Sequence, residues 1–294
     1  MKKSLFILAA AFISVQAFAF DTEASLKPLG AKEYTKTVYQ ITEKFGDYYR
    51  SPRAKFVHIF DSTGREIEAS ELTSKDSLVD RISYKYEGNN LVETVCTDID
   101  GKIMWKMVAV YDANGNKAEE SEFNASDALV NKTIWKINGK QTEESYYNAD
   151  GSLLSKIITK HDEQDRIAEV AQYLSTGALE QKALYSYNDA GKLSEISYSN
   201  GAGVQTKKIV YRFDASYQIT EEQTYNNENK LVVRVIYKYD AAGNIIKTTT
   251  YNVAEKFGTT VNELAGISEY TYGSTPKTTS TTVSTTPRTM VDAK

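Results

Sequence analysis

Cysteine, histidine and long apolar runs are all scarce in this chain of 294 residues, and each scarcity removes a class of function. Cys96 is the only cysteine, so no intramolecular disulfide can form and stability must come from packing and strand pairing. His58 and His161 are the only histidines, and with a single cysteine they supply no zinc-ligand pattern. There is no Gly-rich phosphate loop and no nucleophile elbow. Cys96 has no nucleophile context and reads as a small strand residue. Asp98-Ile-Asp100-Gly101 and Asp112-Ala-Asn114-Gly115-Asn116 look like pieces of calcium loops, but neither has the downstream bidentate Glu, and turn chemistry accounts for both. The expectation is a protein with no catalytic residues, no cofactor and no metal site, and not an enzyme.

Apolar residues run together only at the N-terminus. Lys2 and Lys3, the run LFILAAAFISV and Ala17-Phe-Ala19 read as a secretory signal peptide over residues 1–19, cut before Phe20. That run is too short to span a bilayer, and no later stretch is long enough for a membrane helix. Losing Lys2 and Lys3 would leave 33 basic residues (35 minus 2) against 39 acidic ones, a net charge of −6 that argues against nucleic acid as a partner. The expected location is the periplasm, the extracellular space or the cell surface.

What the chain has in abundance is a repeat. An aromatic-ended run, an Asp-x-x-Gly or related turn and a second run follow one another in fixed order. The residue before each turn forms a column of Phe60, Tyr86, Tyr111, Ile137, His161, Tyr187, Phe213 and Tyr239, with steps of 24 to 26 residues. Regularity of this kind is repeat architecture. Asp or Asn can bond the backbone two residues on, and Gly accepts the positive φ that closes a bulged hairpin. A second turn about a dozen residues later makes each unit strand, turn, strand, turn, as at Asn148-Ala-Asp-Gly151. The expected fold is all-β: an antiparallel up-and-down meander of about eight 26-residue hairpin repeats, curled or rolled, with variant terminal units. The array covers residues 55–273. Residues 20–54 form an N-terminal capping segment, and residues 274–294, rich in Thr, Ser and Pro, a disordered tail. The tetrapeptide Glu43-Lys-Phe-Gly46 recurs as Glu255-Lys-Phe-Gly258 at the other end of the array, as expected of capping units.

Between turns the side chains alternate with period two. Val233, Val235, Tyr237 and Tyr239 point one way, and Val232, Arg234, Ile236 and Lys238 the other. One face is aromatic and apolar, the other wet. The returning strands carry Glu93, Glu119, Glu143, Glu169, Glu195 and Glu221 in one column. With the Lys and Arg columns, these carboxylates keep a broad sheet soluble and resist edge-to-edge pairing. A ladder that binds cations or a basic partner is the sharper reading of the same column. Acidic pairs such as Glu119/Glu120 and Glu221/Glu222 point to opposite faces, a poor geometry for a general acid and base working together.

FDASYQI, YNDAGKL, YDANGN and YDAAGNI resemble the YD repeats of Rhs-type bacterial secreted and surface proteins. Tyr237, Tyr239, Asp240, Gly243, Asn244 and Ile245 match that consensus, over a resemblance spanning roughly residues 55–273. The units are also similar, more weakly, to the hairpin repeats of MORN-variant proteins. The resemblance implies β-meander architecture and exported binding or structural work, with no catalytic residues to carry over. The leading expectation is an exported, non-enzymatic structural or binding scaffold whose partner is a protein or a cell-envelope glycan. The alternatives are a glycan- or peptidoglycan-binding module using exposed tyrosines and an outer-membrane β-barrel. The candidate partner surface comprises Tyr147, Tyr173, Tyr225 and Tyr251 with Glu119, Glu143, Glu169, Glu195 and Glu221. The apolar flanked-by-charge pattern of the second face argues against the membrane barrel, whose lipid-facing band should be apolar.

Overall fold

The computed structural model describes residues 31–273, so the expected signal peptide and the C-terminal tail lie outside the described residues. Eighteen strands follow in chain order. They are β1 (Glu33–Lys44), β2 (Asp47–Phe60), β3 (Glu66–Thr73), β4 (Leu78–Glu87), β5 (Asn90–Asp98) and β6 (Ile103–Tyr111). Next come β7 (Lys117–Asn124), β8 (Leu129–Asn138), β9 (Gln141–Asn148), β10 (Leu153–His161), β11 (Ile167–Leu174) and β12 (Leu179–Tyr187). The last six are β13 (Leu193–Asn200), β14 (Gln205–Phe213), β15 (Ile219–Asn226), β16 (Leu231–Tyr239), β17 (Ile245–Lys256) and β18 (Thr259–Tyr272). Each pairs antiparallel with its sequence neighbours, and β1 also pairs with β18 from Tyr34↔Tyr272 to Tyr39↔Ile267. The meander is therefore rolled all the way into a closed barrel, the arrangement that leaves no sheet edge around its wall.

The turn chemistry works as the repeat implies. In the β2–β3 turn, Asp61 Oδ1 accepts from the backbone N–H of Thr63 at 2.8 Å and of Arg65 at 3.0 Å, while Gly64 takes φ 78°. Asp112, Asp162, Asn188, Asp214 and Asp240 accept from residues two and four further on in the same way. The Asn244 side chain also donates to Asp240 and the Asn116 side chain to Asp112, and with the backbone bonds they hold both carboxyls below their ordinary value. The hairpins closed by these turns carry a register shift beside the turn, as at Lys160/His161, the bulge that a turn of this type creates.

The aromatic column braces one hairpin against the one before. The hydroxyls of Tyr86, Tyr111, Tyr187, Tyr239 and Tyr272 donate to the backbone carbonyls of Glu66, Leu91, Ile167, Ile219 and Ile245, at 2.7 to 3.0 Å. His161, standing in that column, places Nδ1 3.3 Å from the Lys140 carbonyl, so the ring continues the brace. Arg65 and Arg166, at the ends of their turns, lie over the rings of Tyr86 and Tyr187.

Cross-strand partners share a face, so the pairing register carries two faces continuously around the ring. On the buried face Ile157, Val170, Ala183 and Ile196 are fully shielded from solvent, which makes it the inside of the barrel. The apolar core follows the wall in three stretches. One spans β12–β15 around Ile196, Tyr198, Ile209 and Tyr211, and one spans β3–β6 around Ile82 and Cys96. The third runs from β15 through β18 to β2 and seals the closure, where Tyr34 stacks on His58 at 4.5 Å and lies 6.0 Å from Phe60 and 5.9 Å from Tyr272.

Candidate functional site

The outer wall carries the residues singled out in the sequence. Glu119, Glu143, Glu169 and Glu221 stand in one belt, and each meets a cation thirteen residues further along, on the next strand. The pairs are Lys132 with Glu119 at 2.9 Å, Lys156 with Glu143 at 3.0 Å, Lys182 with Glu169 at 3.8 Å and Arg234 with Glu221 at 2.5 Å. Lys160 reaches Glu169 from the other side at 2.9 Å. Glu195 occupies the same level, opposite Val210 of β14, and its Oε1 accepts from Ser197 Oγ at 2.9 Å. Arg234 holds the Glu221 carboxyl below the usual glutamate range. The belt is thus a girdle of matched charges in which the four ion-paired carboxylates already have a cation.

Tyr147, Tyr173, Tyr225 and Tyr251 form a second row on the same wall, opposite Lys132, Lys156, Lys208 and Arg234. All four rings are half-buried, and Lys208 lies over the Tyr225 ring at 5.0 Å. Phe123 continues the row under Lys106 at 5.2 Å. The structure therefore brings the tyrosine and glutamate columns together as adjacent levels of one outer belt, with long cationic side chains laid across both.

The inside of the barrel holds charged groups that the description of an aromatic and apolar face leaves out. In the β7–β9 stretch, Lys117 Nζ donates to Glu120 at 2.7 Å and sits over the Trp135 ring, while Asn131 donates to Glu122 at 2.6 Å. Tyr146 donates to Glu144 at 2.8 Å, yet burial still raises the Glu144 carboxyl above its ordinary value. Across the barrel sequence, Glu222 lies beside Lys207 and Tyr237, and burial raises its carboxyl while lowering the Lys207 ammonium. Lys207 Nζ lies 4.4 Å from the Tyr198 ring centre, and the hydroxyls of Tyr198 and Tyr211 nearby are buried with no hydrogen-bond partner among the described residues. Near one rim, Asp80 is cross-strand partner to both Glu71 and Asp98, and burial raises both the Asp80 and Glu71 carboxyls. The sequence signal for these groups is parity: Glu120, Glu144 and Glu222 each follow a member of the outer glutamate column and so must turn inward.

No family model matches this chain, and no curated protein matches it. Among solved structures it is similar to a porin-like protein from Bacteroides uniformis, with TM-score 0.47 and 9% identity over 83% of this chain and 98% of that one. It is also similar to a TcdB2-TccC3-Cdc42 structure, with TM-score 0.27 and 12% identity over 72% of this chain but 16% of the other. A protein with unknown function from Bacteroides fragilis gives TM-score 0.14 and 12% identity over 67% of this chain and 92% of that one. These likenesses are too loose to add to what the strand pairing establishes.

One rim differs from the rest of the barrel. β1–β2 and β17–β18 are the longest hairpins, and they adjoin in the ring. β2 continues as Asp47–Arg53 past its last pairing with β3 at Ala54, and β17 as Val253–Lys256 past its last pairing with β16 at Asn252. Beyond Tyr39 and Ile267 the two hairpins stop pairing with each other and continue as separate arms. Their tips are the repeated tetrapeptides, closed by Phe45-Gly46 and Phe257-Gly258. No helix among the described residues is long and apolar enough to cross a membrane, which leaves open what the strands do.

Proposed function

We propose that this chain is an exported, non-enzymatic β-barrel that serves as a rigid structural or binding scaffold in the periplasm or at the cell surface. The observation that carries this reading is the outer belt. A barrel embedded in lipid needs an apolar band facing outward. Here the middle of the outer wall is occupied by Glu119, Glu143, Glu169 and Glu221 with their Lys and Arg partners. Water is the solvent such a belt requires, because a Lys or Arg facing hydrocarbon costs ~2–4 kcal/mol at mid-bilayer.

Support for a structural rather than catalytic role comes from the fate of the ionisable groups at the turns, on the outer wall and in the tyrosine column. Turn aspartates are engaged by backbone amides, the ion-paired outer carboxylates by cations, and column tyrosines by carbonyls of the preceding hairpin. The resemblance to YD-repeat proteins points the same way, toward exported interaction work. A glycan-binding reading stands second, because the four outer tyrosines are half-buried along the wall rather than standing open as stacking platforms.

Cell fractionation followed by carbonate extraction tests the proposal. A water-facing barrel is released from the envelope fraction by carbonate. Retention in the extracted membrane pellet would place the wall in lipid and overturn the reading.

A further inference from the structure

We infer that the two hairpin arms on one rim are a membrane-docking fork, whose tip rings Phe45 and Phe257 enter the interface of a lipid bilayer. The starting observation is exposure. Both phenylalanines are 105% exposed relative to a free residue, more than any other large apolar residue described, and none of the described residues covers them. A single exposed apolar side chain needs no explanation, but these two are matched in sequence, in turn type and in position.

The turns themselves show that the rings are not there for folding. Each tip is a two-residue turn with both central residues at positive φ: Phe45 at 55° and Gly46 at 85°, Phe257 at 52° and Gly258 at 75°. Such a turn favours Asn-Gly or Asp-Gly, and a bulky residue at positive φ is an outlier. Both arm tips make the same unfavourable choice, at the two most exposed large apolar positions among the described residues.

Position selects a flat apolar surface as the occupant. The arms adjoin in the ring and rise from the same rim, above turns that are otherwise short and mostly led by Asp or Asn. At about 3.3 Å per residue, the lengths that run on past β3 and β16 lift the tips roughly 13 to 23 Å clear of those strands. Tyr48 and Tyr49, both exposed, sit just behind the first tip, at the level where a bilayer's polar boundary accepts tyrosine. Charge on the arms sums to zero, with Lys44, Arg50, Arg53 and Lys256 against Glu43, Asp47, Glu255 and Glu263; Arg50 bonds Glu269 of the wall, and Lys256 pairs with Glu263. Lys256 also feels Glu43 and Tyr48 of the other arm, so the two arms stand side by side. The attraction is therefore apolar rather than electrostatic. A fork of two convex rings enters lipid without needing a preformed pocket. This inference rests on the water-facing wall proposed above, since a barrel already embedded in the membrane would have no use for a peripheral anchor.

Flotation of the purified mature chain with vesicles of phosphatidylethanolamine and phosphatidylglycerol is the test. The wild type is expected to float and to be released by carbonate. Phe45→Asn and Phe257→Asn suit the turn better than phenylalanine does, so melting temperature should hold or rise while the ring is lost. Each single change should lower partitioning about tenfold, the equivalent of ~1.4 kcal/mol, and the double variant should not float. Three results would overturn the inference: a wild type that stays in the soluble fraction, a double variant that floats like the wild type, or self-association that the double variant abolishes. A wild type that floats but resists carbonate, whatever the tips carry, would instead overturn the water-facing wall.

Discussion

Glu221 and Glu222 are consecutive residues of β15 and stand in opposite worlds. Glu221 faces outward, 2.5 Å from Arg234 Nε, and accepts from Gln223 at 2.9 Å; the Arg234 bond pulls its carboxyl below the ordinary range. Glu222 faces inward among Tyr198, Lys207, Tyr211 and Tyr237, and burial raises its carboxyl even though Lys207 and Tyr237 oppose the shift. Glu143 and Glu144 repeat the contrast in β9, the first paired with Lys156 at 3.0 Å and the second raised by burial. Residue type is the same in each pair. What differs is parity along a strand, which in a closed barrel decides between solvent and interior. The outer wall uses carboxylates as one half of a neutral girdle, and the inner wall holds them where their charge is disfavoured.

The largest expected break in this comparison comes from apolar residues on the two walls. Ile196→Ala, at a fully shielded inner position, should cost about 3 kcal/mol. Leu184→Ala, 45% exposed on the outer wall, should cost under about 1 kcal/mol. Urea unfolding of both variants measures the difference, and equal costs would mean that the inner wall is not the core. The glutamates give the next test, with opposite pH dependence. Because the folded-state value of Glu221 is lowered, its contribution is full above the ordinary glutamate value and disappears as pH falls through the lowered one. Because the folded-state value of Glu222 is raised, the barrel loses stability as pH rises from the ordinary value through the raised one, and the loss persists above it. Glu222→Gln should therefore stabilise the protein by on the order of 1 kcal/mol at pH 8. Glu221→Gln should destabilise it by ~0.5 kcal/mol at pH 7 and leave it unchanged in acid below both values. Stability curves for the two variants that run parallel in pH would sink the assignment of faces.

Much of this contrast is legible in the amino-acid sequence itself. The Asp-x-x-Gly spacing fixes the hairpins, and alternation in LVVRVIYKY separates Arg234 from Tyr237, because turn geometry and the pleat are local properties. Closure is not local. The pairing of Tyr34 with Tyr272 depends on strand number and accumulated curvature, which no segment of the sequence encodes by itself. The inner carboxylates follow from parity once the outer column is known, but their burial depends on the rolled wall, which sets Glu144 of β9 near Lys117 and Glu120 of β7, two strands away. The duplicated Glu-Lys-Phe-Gly marks both terminal hairpins, yet the height of the arms comes from where pairing with β3 and β16 ends. The outer pairing of Lys132 with Glu119 has an intermediate status: the columns are visible, while the thirteen-residue offset is set by the turn and its bulge.

That offset supplies the finest test, and the smallest effect. Lys132 and Glu119 are each about one-third exposed, at 34% and 35%, so solvent screens their attraction heavily. A double-mutant cycle with Lys132→Ala and Glu119→Ala should return a coupling of only ~0.2–0.5 kcal/mol, shrinking as salt rises toward about 1 M, where the screening length falls to ~3 Å. The corresponding cycle inside, Tyr146→Phe with Glu144→Gln, should give a coupling of roughly 1 kcal/mol that salt barely moves, since the 2.8 Å bond is shielded by the wall. If the outer coupling proved as large and as salt-insensitive as the inner one, the girdle would be part of the barrel's core rather than its interface with water. The water-facing reading would then lose the observation on which it stands.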